Sequence, residues 1–269
     1  MYGLPTEPGS IGHILDAGFK LYLVSFKRVL GLGVLAVLSV ALPIVVGVFV
    51  LAMLSRGGEE PGGSMFVVLG LAFAGAMILY LWLYLAALCR IGSIAYGQDM
   101  SLRASMAMGL RRLFPVIIAS ILYCLALMGG FMLFIIPGLI LWLSLAFYSL
   151  CIVLEGDGIV ESLRHSHRLV WGNWWRTAII GTVVLVVYYI VSLAIEIPFM
   201  ILEQVVMDPE SSGAAKIVQS LLSMLGSILS AIVTFPLVGS VFVVVFHDLK
   251  LRKEGQDLDA RVEALTASA

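Results

Sequence analysis

Residues 157–178 read DGIVESLRHSHRLVWGNWWRTA, and the kind of fold follows from how this stretch distributes its side chains. Ile159, Val160, Leu163, Val170 and Trp171 recur at helical spacing on one side, with Glu161, Arg164, His165 and Arg168 on the other. A helix of that pattern lies in a membrane interface, with its basic side chains toward headgroups. Trp174-Trp175-Arg176 then marks the depth at which amphipathic indole rings are favoured, and an apolar run opens at residue 177. The stretch is a ramp into a bilayer.

Two further stretches repeat the pattern. Ser10 to Leu30 and Ser101 to Val116 each start, as Asp157 to Ala178 does, with a residue able to cap a helix N-terminus (Ser10, Ser101, Asp157). Each ends on an aromatic-basic elbow: Phe26-Lys27-Arg28, Arg111-Arg112-Leu113-Phe114 and Trp174-Trp175-Arg176, with Phe26, Phe114 and Trp174 in register. Such internal repeats are common in membrane folds.

The composition agrees. Hydrophobic residues make up 61% of the chain and charged ones 12%, against about 45–50% and about 25% in soluble domains. Apolar runs cover approximately 29–54, 65–89, 114–134, 135–154, 177–203 and 217–246, each as long as a membrane span requires. Fourteen of the sixteen Lys and Arg residues fall in four stretches, Lys20 to Arg28, Arg90 to Arg112, Arg164 to Arg176 and Lys250 to Arg261. The positive-inside rule puts these in the cytoplasm, together with both termini. The expected fold is an all-α polytopic bundle of six transmembrane helices in three helical hairpins, each preceded by a cytoplasmic interfacial amphipathic helix. The six-span domain covers 1–249 and a short cytoplasmic tail 250–269.

Between the third and fourth runs there is no polar loop, so Gly129-Gly130 and Ile136-Pro137-Gly138 are expected to reverse the chain. A re-entrant hairpin over 114–154 is the rival reading. The outer loops, Ser55 to Ser64 and Gln204 to Lys216, are too short to fold alone, which excludes most soluble-enzyme classes. The first apolar run is longer than the roughly 7–15 residues of a signal-peptide core and reads as a retained helix.

Glu196 is the residue most open to a chemical role. It lies in the fifth run just before Pro198, where a carboxylate costs on the order of 2.5–3.5 kcal/mol at mid-bilayer. Tyr189, Ser192, Glu196 and Glu203 share a helical face by spacing. They form a candidate intramembrane polar site; an outward-snorkelling or protonated Glu196 is the structural alternative. Candidate headgroup contacts are Lys27, Arg28, Arg111, Arg112, Arg164, Arg168, Trp174, Trp175 and Arg176. His165 and His167, two apart on a helix, point in different directions, while Glu161 and His165 share a face as a surface ion pair would. Cys89, Cys124 and Cys151 read as packing residues. No catalytic residue, metal site or cofactor is expected. Pro236 is expected to kink the sixth helix.

The tail extends the last span as Phe246-His247-Asp248-Leu249-Lys250-Leu251-Arg252-Lys253-Glu254-Gly255, with Asp248/Arg252 and Lys250/Glu254 at i,i+4 and Gly255 as a C-cap. This ending resembles that of the membrane domain of bacterial glycerophosphodiester phosphodiesterases and of YciC-like inner-membrane proteins. Ile136-Pro137-Gly138-Leu139, Val153-Leu154-Glu155-Gly156, Glu161-Ser162-Leu163-Arg164-His165-Ser166 and Gly172-Asn173-Trp174-Trp175-Arg176 resemble the same group. The resemblance implies an anchoring or assisting role in a bacterial inner membrane. No hydrolase residue carries over, because the catalytic barrel of those enzymes has no counterpart here.

The expected role is thus a non-enzymatic integral inner-membrane protein, a lipid-interacting scaffold or an accessory to a membrane-associated partner. Its expected ligands are membrane lipids with anionic headgroups on the cytoplasmic side; a protein partner has no signature, and nucleic acid is not expected. The alternative is a small transporter or lipid translocator that uses Glu196. An intramembrane enzyme would need polar side chains converging on Glu196.

Overall fold

The computed structural model describes residues 2–57, 62–206 and 213–267. Its elements are α1 (Ile11–Gly57), α2 (Gly63–Ala95), α3 (Leu102–Leu133), α4 (Ile135–Ser144), the single turn α5 (Tyr148–Leu150), a π-helical turn (Cys151–Glu155), α6 (Ile159–Val170), α7 (Trp174–Val206) and α8 (Gly213–Ala267). There is no β-strand among the described residues. Six stretches are long and apolar enough to cross a membrane: Ile11–Leu51, Gly63–Ala95, Leu102–Leu133, Ile135–Glu155, Trp174–Gln204 and Val218–Gly255. The chain is an all-α, multi-pass membrane protein. Parts of both acidic loops, residues 58–61 and 207–212, lie outside the described residues.

Only the third ramp is a separate helix. The entry segments of the first two repeats run unbroken into their spans, as α1 and α3. Pro115 is tolerated within α3. In the third repeat, Gly172, at φ +95°, ends the ramp before α7 begins. Ser10 and Ser101 do cap: their hydroxyls accept from the amides of His13 (3.3 Å) and Ala104 (3.2 Å). Asp157 does not, since Gly158 occupies the cap position of α6 and the Asp157 carboxylate turns elsewhere.

The reversal between the third and fourth spans is one residue long. Phe134, extended at φ −165° and ψ 161°, separates α3 from α4. Gly129-Gly130 and Ile136-Pro137-Gly138, expected to turn the chain, lie inside the flanking helices instead. Pro137 sits in the first turn of α4, where a missing N–H costs no helical bond. Gly255 does not end α8, which continues to Ala267.

Consecutive spans α1/α2, α3/α4 and α7/α8 pack on one another, yet packing crosses the hairpins: α1 lies along α8 and α2 along α3. At Gly109 the α2 and α3 backbones meet so closely that an added Cβ would sit 2.8 Å from the Ala86 nitrogen, a close approach that small residues permit in membranes. The core is lopsided. Leu21, Val29, Leu85, Leu88, Ile152, Phe246 and Leu249 are fully buried, all toward the end that carries the basic stretches. At the far end, α1 from Leu42 to Met53 and α2 from Phe66 to Leu79 expose most of their large apolar side chains. Lipid tails solvate such side chains as well as Leu would, so the splayed end is at no disadvantage in a bilayer.

Candidate functional site

The basic end is closed by a buried carboxylate. Asp248, 5% exposed, accepts from the Gly9 amide (2.9 Å) and from Arg252 Nε (2.9 Å), and the Arg176 guanidinium lies 3.5 Å away. The Gly9 carbonyl in turn accepts from Arg176 and from Arg252 (2.8 Å). The His247 ring lies 3.0 Å from the Pro5 carbonyl through Nε2, and the Tyr2 hydroxyl donates to the Ala17 carbonyl at 3.0 Å. Residues 2–10 are thus strapped across the bundle. Burial, helped by the charge on Asp16, pushes the Tyr2 phenol up to about 12.

Of the expected headgroup contacts, Arg176 takes part in this network as a partner of Asp248. Arg28 pairs with Asp99 (3.0 Å), and Arg168 (2.7 Å) and Arg164 (3.6 Å) both reach Glu161. All three remain outward-facing, as do Lys27 and Arg111; Arg112 is half-buried, against Gly156. Trp175 is 76% exposed. Of the two tail pairs, Asp248/Arg252 forms, whereas Lys250 bonds Glu155 across the bundle at 2.9 Å.

α6 meets the bundle differently from its hydrophobic pattern. Its buried residues are Ser162, Ser166, Leu169 and Val170, while Val160 and Trp171 are exposed. Small hydroxyl side chains allow close packing, and Ser166 bonds the Ser144 carbonyl (2.8 Å) and the Phe147 amide (3.1 Å).

Two apolar clefts open between the spans. One, of about 630 Å3, lies among α1, α2, α7 and α8, with Val37, Ala41, Tyr80, Met224 and Phe235 on its walls. The other, of about 600 Å3, separates α3/α4 from α7/α8; Leu139, Trp142, Gly181, Leu185 and Phe242 line it, and Trp174 closes its basic end. Tyr188 and Val238 border both clefts. In the second cleft the polar groups of α3–α5 satisfy one another: Tyr123 OH donates to the Trp142 carbonyl (3.2 Å) and Tyr148 shares a hydrogen bond with Ser120 (2.8 Å). The Trp174 indole N–H is buried and has no partner among the described residues.

The intramembrane polar triad does not converge. Tyr189 is 62% exposed, Ser192 is buried with its hydroxyl unpartnered, and Glu196 is half-buried on the flank between them. Glu196 lines neither large cleft. Glu203, one further step along, accepts from Ser223 of α8.

One convergence escapes a pattern search because it joins three elements. Cys151 at the start of the π turn, Asp157 in the loop and His165 on α6 bring their donor atoms within 4.8 Å of one another. His165 Nδ1 lies 2.6 Å from Asp157 Oδ2, so its partner is not Glu161, which both arginines take. Asp157 lies in the loop before α6, so no helical spacing links it to His165.

Residues 91–249 match the family model described as a domain of unknown function, DUF7847. The chain belongs to that family. The matched region contains the whole lining of the second cleft, with Trp174, Cys151, Asp157 and His165, whereas α1 and most of α2, which wall the first cleft, precede it. No curated protein and no solved structure matches the chain.

Proposed function

We propose that this is a non-enzymatic membrane protein that binds phospholipid, with an acyl chain in the cleft between α3/α4 and α7/α8 and the headgroup at the basic end. The observation that carries the reading is the Trp174 indole N–H, buried without a partner at the mouth of an apolar cleft of about 600 Å3. An orphaned buried donor costs about 1–3 kcal/mol, and a turn of the Trp174 ring toward the cleft it lines would present that donor to a lipid ester or phosphate oxygen. Arg164, Arg168 and Trp175 lie on the same ramp and elbow and suit an anionic headgroup, each cation contributing roughly 1 kcal/mol near such a surface. The positive-inside rule supports a cytoplasmic placement of that end and of both termini. The likeness of the tail and elbow motifs to the phosphodiesterase and YciC-like membrane domains supports a bacterial inner membrane and an accessory role.

Gly181 offers the test. It lines the cleft and nothing lies within 4 Å of a Cβ built on it, so Gly181→Leu starts its side chain in open space and projects it into the cleft. Native mass spectrometry of protein extracted from a defined phosphatidylglycerol and phosphatidylethanolamine bilayer should show retained phospholipid in the wild type and several-fold less in Gly181→Leu. Trp174→Phe should weaken retention, and neutralising Arg164 and Arg168 should abolish any preference for phosphatidylglycerol. Equal retention in folded Gly181→Leu would overturn the proposal.

A further inference from the structure

We propose that Cys151, Asp157 and His165 form a binding site for a borderline divalent transition metal, with Zn2+ the best fit. The three donors are a thiol, a carboxylate and an imidazole, the ligand set that zinc accepts in tetrahedral sites with one position left for water. Their atoms lie within 4.8 Å of one another, so shifts of the order of an ångström bring them onto one ion. The backbone is shaped for the convergence. The π turn lets the Cys151 carbonyl receive the amides of both Gly156 and Asp157, and Gly156 at φ +83° folds Asp157 back over Cys151. π-helical turns of this kind occur frequently at functional sites. His165 is held in place from behind, because the next residue, Ser166, is locked to Ser144 and Phe147.

The charges balance. A thiolate and a carboxylate around a dication sum to zero, and binding releases the thiol proton. Cys151 itself has no exposed surface, which suits a ligand reached by a small ion and not a nucleophile that must meet a substrate.

The test is Co2+ titration of tag-free, metal-stripped protein in detergent. Expected is one equivalent bound, with a thiolate-to-cobalt charge-transfer band and the strong visible absorption of tetrahedral cobalt, both bleached by Zn2+. Cys151→Ser should lose the charge-transfer band, and His165→Ala and Asp157→Asn should weaken binding by at least roughly tenfold. Cys124→Ser, altering the exposed cysteine, should change nothing. His165→Ala removes only a partly exposed ring and serves if Cys151→Ser does not fold. Absence of a stoichiometric cobalt spectrum in folded wild type, a spectrum that survives Cys151→Ser, or full affinity in His165→Ala would each overturn the proposal.

Discussion

Removing the Asp248 carboxylate should unfasten the basic end of the bundle. In Asp248→Ala the Gly9 amide loses its acceptor, and Arg176 and Arg252, whose side chains are 21% and 24% exposed, lose the anion between them. Breaking a buried ion pair from one side costs about 3–5 kcal/mol. Because both guanidiniums keep some contact with water, the low end, about 3 kcal/mol, is expected. Asp248→Asn keeps the shape and one acceptor and should fall between wild type and Ala. Unfolding in mixed micelles by a denaturing detergent, followed by circular dichroism, measures the loss; limited proteolysis should release residues 2–10 in the variant alone. Lys20→Met is the control, since its pair with Asp16 has side chains 64% and 55% exposed and is worth about 1 kcal/mol at most. An Asp248→Ala variant within about 1 kcal/mol of wild type would refute the view that this carboxylate, and not apolar packing alone, holds the N-terminal strap.

Gly109→Ala should destabilise by about 1–3 kcal/mol, because its methyl group meets the Ala86 backbone; Gly75→Ala, with open space around it, should be neutral or slightly stabilising in the same unfolding assay. The Tyr2 phenol should ionise near pH 12 by ultraviolet difference spectroscopy. Since its folded pKa is raised, its contribution is complete below the ordinary value near 10 and is lost as pH climbs through about 12; Tyr2→Phe should remove that alkaline loss. Glu196→Gln should leave phospholipid retention unchanged, because Glu196 borders neither cleft; a several-fold change would restore Glu196 to the site.

Periodicity and charge made the fold legible because a bilayer imposes simple demands: spans of sufficient length, basic loops, aromatic elbows. The places where the reading failed share a cause. Whether a ramp is a separate helix depends on a local breaker, and only Gly172 supplies one. Which face of α6 packs on the bundle was not readable from its apolar pattern: Ser162 and Ser166 are buried there, and Val160 and Trp171 are exposed. Of the proposed headgroup contacts, Arg176 looked like its neighbours in sequence; its carboxylate partner lies 72 residues away and could not be paired with it by spacing. Cys151, Asp157 and His165 were individually unremarkable for the same reason.

The distribution of burial connects these sites. Polar bonds and tight packing concentrate at the basic end, where Asp248 ties α7, α8 and the N-terminal strap together and Ser166 ties α6 to α4 and α5. Because these contacts fix the basic ends of the walls, the mouth of the second cleft at Trp174 is shaped before any ligand arrives. Its far end is bordered by side chains that lipid can contact from the side, such as Leu139 and Leu185. A tail entering laterally therefore gains little by contact with apolar walls that resemble the bilayer it leaves. Selectivity must come from the fixed end, through the Trp174 N–H and the cations of the ramp. Gly181→Leu should therefore lower retention of every phospholipid alike by excluding the tail, whereas changes at Trp174 and the ramp cations should alter which headgroup is kept.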